Sequence, residues 1–207
     1  MKTNNEQLQD LLANLDRISY IKPEEIPNIQ LYMDQVTTFM DEHLKNTKRY
    51  PEDKVLTKTM INNYAKNNLL PPPVKKKYSK EHMLMLIFIY YFKNLLSFHD
   101  IEQLFRPVIG EHFNVPGELS LEDIYREVFS MEKEQLEQLK ADVTDKFQKS
   151  QSTFSQAKQE DRSYLQLFSF ICMLAFDVYL KKQMMESLID KLDEEAKKKE
   201  TPKKQKD

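Results

Sequence analysis

Glycine is almost absent from this chain of 207 residues, which contains only Gly110 and Gly117. Phosphate-binding loops of the P-loop and dinucleotide-binding types need several closely spaced glycines, because these let the backbone approach a phosphate. No such loop can be built here. The sequence therefore argues against nucleotide chemistry of these types.

Cysteine is equally scarce, since Cys172 is the single one. It excludes an intramolecular disulfide and a four-cysteine zinc site. The four histidines, His43, His82, His99 and His112, are scattered and do not have zinc-ligand spacing. The amino terminus has no secretion signal, so we expect a cytoplasmic protein. Because the histidines and the cysteine form no recognisable site, we also expect no metal, no cofactor and no enzymatic activity.

Long apolar runs are also lacking. Met83–Phe92 holds ten apolar residues in succession, whereas a bilayer span needs about twenty. The segment Tyr164–Leu180 is rich in apolar residues but is interrupted by polar ones, among them Asp177. We expect no membrane insertion, and interpret this segment as a helix buried by neighbours or by a second subunit.

Charge is distributed unevenly along the chain. Between Lys45 and His82 there are ten Lys or Arg and three acids, a local charge of 10 − 3 = +7 in a protein of net charge −2. The other residues together therefore carry about −9. A basic surface on an acidic protein is typical of phosphate contact, although lysines kept for solubility would give the same pattern.

The segment from Thr57 to Asn68 predicts a short polar helix. Thr57 has the residue type of an N-cap, and Ile61 and Tyr64 recur at helical spacing on the side that would face inward. The outward side chains carry amides, a hydroxyl and ammonium groups but no carboxylate: Lys58, Thr59, Asn62, Asn63, Lys66 and Asn67. Asn can pair with adenine and Lys with guanine or phosphate, so this face suits DNA; an ordinary solvated face remains the alternative.

A cationic wing is predicted after this helix. Asn68 accepts the left-handed conformation that ends a helix, and the prolines of residues 71–73 prevent its return. Val74 to Tyr78 then form a short lysine-rich strand, and Ser79 can cap the next helix.

Two further helices complete this part of the sequence. Met83–Phe92 is apolar on all sides and is predicted to be a central core helix. Ser97 and Asp100 form a near capping box that starts a short helix, which we expect to end at Arg106 and Pro107. Its predicted inner residues are Phe98, Ile101, Leu104 and Phe105.

The stretch INNYAKNNLLPPP, followed by KKKYS and LMLIFIYYFKNLLSFHDIEQLF, resembles the DNA-binding domain of MerR-type regulators. Ile61 and Tyr64 match the buried positions of the pattern, residues 69–70 match the start of the wing, and residues 78–79 match the helix restart. The resemblance implies a winged helix-turn-helix that binds duplex DNA. This sequence departs from the pattern at Asn62, where an arginine is usual, and at Asn68, where glycine is usual.

Together with the upstream IPNIQLYMDQVTTFMDEHL, the same region is similar to a bacterial, mostly Gram-positive family that is defined only as a domain of unknown function, DUF1836. The resemblance covers roughly residues 20–110. It implies a helix-turn-helix role without an assigned target. Twelve residues, 45–56, separate the two helices of the expected motif in place of a tight turn.

These observations assign two groups of DNA-contacting residues. The predicted base-reading residues are Lys58, Thr59, Asn62, Asn63 and Lys66. The predicted phosphate and wing residues are Lys48, Arg49, Lys54, Lys75, Lys76, Lys77 and Tyr78.

Four segments are expected along the chain. They are an amphipathic helix at residues 1–19, the winged helix-turn-helix domain at 20–110, a helical dimerisation or sensor region at 118–195, and a disordered charged tail at 196–207. In the third segment, a ligand pocket or a dimer core is predicted at Phe168, Ile171, Leu174 and Asp177. A homodimer and an unknown small-molecule effector are the expected partners besides double-stranded DNA.

The sequence thus predicts an all-α protein, a MerR-like winged helix-turn-helix domain with a minimal wing followed by a C-terminal helical region. The predicted function is that of a DNA-binding transcriptional regulator. The alternative is a non-catalytic helical adaptor that holds a protein partner on the same scaffold, since a basic patch on an acidic protein has a similar sequence pattern.

Overall fold

The computed structural model describes residues 3–115, 117 and 119–200, apart from the side chains of residues 199 and 200. Its helices are α1 (Asn4–Leu15), α2 (Met33–His43), α3 (Lys58–Lys66), α4 (Lys80–Phe92), α5 (Phe98–His112), α6 (Leu121–Ser130), α7 (Glu132–Gln151) and α8 (Gln159–Glu200). Two short strands, β1 (Leu31–Tyr32) and β2 (Lys77–Tyr78), form the single sheet of the described residues. The predicted all-α class is confirmed.

The chain divides into two compact units. The α4 unit comprises Ile21–Arg126 and the part of α8 that begins at Lys182, and the α7 unit comprises the residues up to Tyr20 and Glu127–Lys181. This division differs from the expected segments 20–110 and 118–195, because the first part of α6 and the last part of α8 belong to the α4 unit.

Tyr125 explains why α6 belongs there. Its side chain is completely buried, its hydroxyl donates a hydrogen bond of 2.6 Å to the carbonyl of Ile21, and its ring meets Phe88 edge to face. Ser120 and Asp123 cap the helix, each accepting a hydrogen bond from the backbone amide of the other. Residues 120–125 therefore belong to the α4 unit, although the expected C-terminal segment begins at residue 118.

Helix α4 is the centre of its unit. Every side chain from His82 to Ile89 is buried, in agreement with the predicted central core helix. A helix that is apolar on all sides has to be covered on all sides. Phe105 of α5 covers part of α4 and lies 5.7 Å from both Phe88 and Phe92, measured between ring centroids.

The two-stranded sheet joins segments that are distant in sequence. The strands are antiparallel, with Leu31 opposite Tyr78 and Tyr32 opposite Lys77. Leu31 and Tyr78 are buried, whereas Tyr32 is exposed. The alternation of side chains along a strand thus directs one cross-strand pair into the core and the other outward.

Helix α5 corrects two sequence predictions. It continues through Pro107 to His112 instead of ending at Arg106 and Pro107. Proline costs the helix one backbone hydrogen bond, but Pro107 is exposed and the buried Phe105 still anchors this part of the helix. Phe98, expected inside, is about half exposed because it occupies the first position of α5; its ring lies 5.9 Å from that of Tyr64, measured between centroids.

The α7 unit is held together by a small apolar cluster. Leu8 of α1 packs with residues of α7 and α8, namely Val143, Phe147 and Phe170. The predicted amphipathic helix near the amino terminus is confirmed, with Thr3 and Glu6 forming its capping box. Phe154 is exposed because α7 ends at Gln151 and Phe154 has a left-handed φ of 53°.

The carboxy-terminal tail begins later than expected. Helix α8 extends to Glu200, so residues 196–200 of the predicted disordered tail are helical. Its residues 201–207 lie outside the described part of the chain.

Burial of His82 predicts that stability falls in mild acid. Its Nδ1 accepts a hydrogen bond of 3.0 Å from the backbone amide of Ser79, the N-cap residue of α4. Burial lowers the pKa of His82 below its ordinary value of 6.5. Above that value neither state is protonated, so the full stability is present. As the pH falls below it, the unfolded chain binds a proton that the folded chain resists, and the free energy of unfolding decreases.

Urea unfolding between about pH 7 and pH 5 tests this prediction. His82→Gln keeps a capping-box residue at this position and should reduce the pH dependence of the unfolding free energy, even though it removes ring contacts. His99→Gln, at an exposed position, is the matched control. An unchanged pH dependence in His82→Gln would contradict the assignment.

Candidate nucleic-acid interface

Helix α3 is oriented by its cap and by its buried side. The hydroxyl of Thr57 accepts a hydrogen bond of 3.2 Å from the amide of Met60, and Ile61 and Tyr64 are buried. The exposed side chains are Lys58, Thr59, Asn62, Asn63, Lys66 and Asn67. Their predicted outward orientation is confirmed, and α3 therefore presents amide and ammonium groups without a carboxylate.

The end of α3 reverses the chain sharply. Asn68 has a φ of 57°, the left-handed conformation that Asn tolerates well. The carbonyl of Tyr64 then accepts hydrogen bonds from the amides of Leu69 at 2.9 Å and Leu70 at 3.3 Å. Both leucines are buried, which fixes the direction in which the chain leaves the helix.

The predicted wing is a tight turn at Val74–Lys77, which we call the lysine turn. The amide of Lys77 donates to the carbonyl of Val74 at 3.0 Å, and Lys75 and Lys76 have φ values of 50° and 63°. Positive φ at both central residues is the geometry of a type I′ turn, for which Asn-Gly is the usual sequence. The turn therefore holds two ammonium groups at a backbone cost that Asn-Gly would avoid.

Helix α3 and the lysine turn both reach the amino-terminal end of α2. The ammonium of Lys77 lies 5.5 Å from the centroid of the Tyr32 ring, immediately before α2. The ammonium of Lys58 pairs with the carboxylate of Asp34 in the first turn of α2. Since Tyr32 and Asp34 are two residues apart, the start of α3 and the end of the turn lie beside the same part of α2.

The sequence did not reveal the roles of Tyr32 and Asp34. Nothing in the local sequence pattern indicates that either residue contacts the segments that follow. Tyr32 supports the lysine turn through the ring contact and through pairing with Lys77. Asp34 places a negative charge at the start of α3, opposite in sign to that expected for phosphate contact.

One predicted phosphate contact is not available. The side chain of Lys48 is only 11% exposed and its ammonium donates to Asp41 at 2.7 Å. That hydrogen bond is the main cause that lowers the pKa of Asp41. Lys48 therefore ties the segment between α2 and α3 to α2, and we remove it from the predicted contacts.

The remaining phosphate candidates are placed differently from one another. Arg49 is exposed, with its guanidinium carbon 5.3 Å from the Tyr50 ring centroid. Lys54 is also exposed, but it lines an open groove with Asp41 and Glu42, which offset its charge. Tyr78 is buried and pairs with Leu31, so it supports the turn instead of facing a ligand.

The four residues predicted as a C-terminal pocket or dimer core are not brought together. Leu174 packs against the apolar cluster of the α7 unit, and Asp177 pairs with Lys146 of α7 at 2.7 Å. Phe168 and Ile171 are exposed on the other side of α8. A common ligand pocket is therefore not formed by these four side chains.

Among the described residues, no group of three or more His, Cys, Asp or Glu side chains is placed to hold a metal ion. The single thiol, Cys172, is exposed on α8.

The model of a family described as a domain of unknown function (DUF1836) matches residues 21–129. Because the match spans more than half of the chain, the protein belongs to this family. The matched segment holds the sheet, helices α2 to α5 and nearly all of α6. Neither a curated protein nor a solved structure matches the chain significantly.

The strained lysine turn generates a prediction. Replacing Lys75 by Asn and Lys76 by Gly supplies the residues that a type I′ turn prefers. We expect this double variant to raise the free energy of unfolding by about 1 kcal/mol, because left-handed geometry is costly for lysine. Urea unfolding of the full chain measures the change.

Lys77→Gln is the matched control, since it removes a charge at the last residue of the turn and leaves both left-handed residues in place. It should not stabilise the protein. A double variant that is no more stable than this control would show that the turn is not strained.

Proposed function

We propose that the protein is a DNA-binding transcriptional regulator that acts in the cytoplasm, with α2 and α3 as a MerR-like helix-turn-helix and the lysine turn as a minimal wing. The observation that carries the proposal is the junction at the start of α2. There Lys58 of α3 contacts Asp34, and Lys77 of the turn contacts Tyr32. A reading helix and a cationic turn beside one another are the parts that such a domain applies to a groove and its flanking phosphates.

The residues of α3 fit the chemistry of base recognition. Asn62 and Asn63 are exposed and can pair in bidentate fashion with adenine, while Lys66 can reach guanine or a phosphate. Lys58 and Thr59, at the first turn of α3, would lie closest to the bases or to the backbone. Asn62 stands where MerR-type regulators usually have an arginine, so phosphate anchoring is left to other residues.

The charge of this region supports phosphate binding. Of the ten cations between Lys45 and His82, three form ion pairs in the described structure, Lys48, Lys58 and Lys80. The others include the exposed Arg49, Lys75 and Lys76. When exposed Lys and Arg side chains bind phosphates, they displace the counterions condensed on DNA. The release of these counterions provides affinity that does not depend on sequence.

The most direct test is binding of mixed-sequence and genomic duplex fragments to the full chain, followed by fluorescence anisotropy at several salt concentrations. If about five phosphates are contacted, the logarithm of the binding constant should fall against log salt with a slope near −4.5. Undetectable binding to both kinds of duplex at low salt would reject the proposal and favour a helical adaptor.

Base reading and phosphate anchoring should be separable. Replacing Asn62, Asn63 or Lys66 by Ala should reduce the preference for a selected site by roughly 1–3 kcal/mol where a bidentate contact is lost. Replacing Lys75, Lys76 and Lys77 together should weaken all sequences alike and flatten the salt slope by up to about three units. Equal loss of discrimination in both variants would mean that the two roles are misassigned.

Asp34→Asn tests the placement of α3 against the phosphates. Removing this carboxylate frees Lys58 and eliminates a repulsion of about 1 kcal/mol at short range in water, so affinity should rise by about fivefold. Glu137→Gln makes the same change of charge at an exposed carboxylate that pairs with Lys140 of the α7 unit, and is the control. Equal effects of the two variants would show that only the net charge matters.

A further inference from the structure

The small sheet has an outer surface that the packing of the core does not use. Tyr32 lies opposite Lys77 in the pair of β1 and β2, and Val74 lies opposite Lys77 across the lysine turn. Directly opposed residues of antiparallel strands project to the same face of a sheet. These three side chains therefore form a row, which we call the outer row, whereas the neighbouring pair of Leu31 and Tyr78 is buried.

The outer row places an ammonium group between two exposed apolar side chains. Tyr32 is 54% exposed and Val74 is 63% exposed. The ammonium of Lys77 lies 5.5 Å from the centroid of the Tyr32 ring and so helps to hold that ring in place. Within the described part of the chain, the hydroxyl of Tyr32 has no hydrogen-bond partner. The row thus offers apolar contact, a positive charge and a hydroxyl donor across about 10 Å, two strand spacings.

The positive charge beside the outer row is not taken up by carboxylates of the described residues. The ion pairs that the region from 45 to 82 makes there involve Lys48, Lys58 and Lys80, and none involves a lysine of the turn. Asp34 follows Tyr32 by two residues, but its carboxylate pairs with Lys58 of α3. The ammonium groups of the lysine turn therefore stay available to an anion.

We propose that the outer row contacts the sugar–phosphate backbone of duplex DNA, with Tyr32 as an anchoring residue beside the lysine turn. The ring of Tyr32 and the side chain of Val74 pack on deoxyribose, the hydroxyl of Tyr32 donates a hydrogen bond to a phosphate oxygen, and Lys77 supplies charge. Contacts of this kind fix the position of a protein on the duplex and carry no sequence information. The inference rests on the proposed function and extends its surface to β1, which the charge pattern of the sequence did not include.

Chemistry and position favour DNA over a protein partner for the outer row. Lysine is depleted at protein–protein interfaces, and here one lies at the centre of the row. Lysine and tyrosine both recur among the side chains that bind the phosphates and sugars of DNA. The row also adjoins the start of α3, because Asp34 joins the first turn of α2 to Lys58. A duplex that is read by α3 therefore passes beside Tyr32.

Tyr32→Phe tests the contact, since it removes the hydroxyl and keeps the ring beside Lys77. It should weaken the binding of the full chain to every duplex by about tenfold, the effect of losing one hydrogen bond to a charged acceptor. The hydroxyl is uncharged and displaces no counterion, so the slope of the logarithm of the binding constant against log salt should stay that of the wild type. Fluorescence anisotropy at several salt concentrations measures both quantities.

Tyr164→Phe makes the same change on an exposed ring of the α7 unit and is the control, which should bind like the wild type. Urea unfolding of Tyr32→Phe should match the wild type, because the ring and the sheet are kept. If the wild type binds duplex and Tyr32→Phe binds it equally tightly, the contact is overturned and the proposed function stands. A wild-type chain that binds no duplex would instead reject the proposed function itself.

A tethered chemical nuclease tests the position of the outer row without relying on affinity. Cys172 is the single cysteine of the chain, so Tyr32→Cys in a Cys172→Ser background carries one thiol, to which an iron–EDTA reagent is attached. The labelled chain should cut the backbone of a selected duplex at a few positions beside the bases that α3 specifies. Tyr164→Cys in the same background should cut without a preferred position. A duplex that the Tyr32→Cys chain binds but does not cut would overturn the proposal and leave the row to a protein partner.

Discussion

The fold of the α4 unit depends on one constraint, the need to cover a helix that is apolar on every side. The eight consecutive residues from His82 to Ile89 are all buried, so other elements must surround α4. Phe105 comes from α5 and Tyr125 from α6, and Tyr78 precedes the helix from the sheet. The positions of α3 and of the lysine turn follow from this arrangement, because both belong to the polypeptide that wraps the core.

Local patterns in the sequence identified the elements that depend on neighbouring residues. Thr57 as a cap, Asn68 as a helix end and the outward face of α3 are confirmed, because capping, left-handed geometry and helical periodicity are set within a few residues. Contacts between segments that are distant in sequence could not be predicted from local patterns. Lys48 resembles the neighbouring cations in sequence, and only the fold shows that it pairs with Asp41. In the same way, the pairing of Tyr32 with Lys77 depends on a sheet that joins segments more than forty residues apart.

The two surfaces of interest are of opposite kinds. Around α3 and the lysine turn, exposed amides and ammonium groups are held on a packed core. Lys75 and Lys76 occupy left-handed backbone positions at which Asn and Gly would be less strained. The side of α8 that carries Phe168, Ile171 and Phe176 is instead apolar and exposed. A basic surface attracts a polyanion at long range, whereas an apolar stripe requires a partner of matching shape, so each surface suits a different ligand.

The central claim is that α3 and the lysine turn form one surface that contacts duplex DNA. Backbone amide NMR spectra of the full chain, recorded during titration with a genomic duplex selected by the protein, test it most directly. The account predicts that shifts concentrate at residues 57–67 and 74–78 and around Tyr32 and Asp34, with α1 and α7 unaffected. Shifts confined to α8, or spread evenly over the lysines of the whole chain, would contradict it.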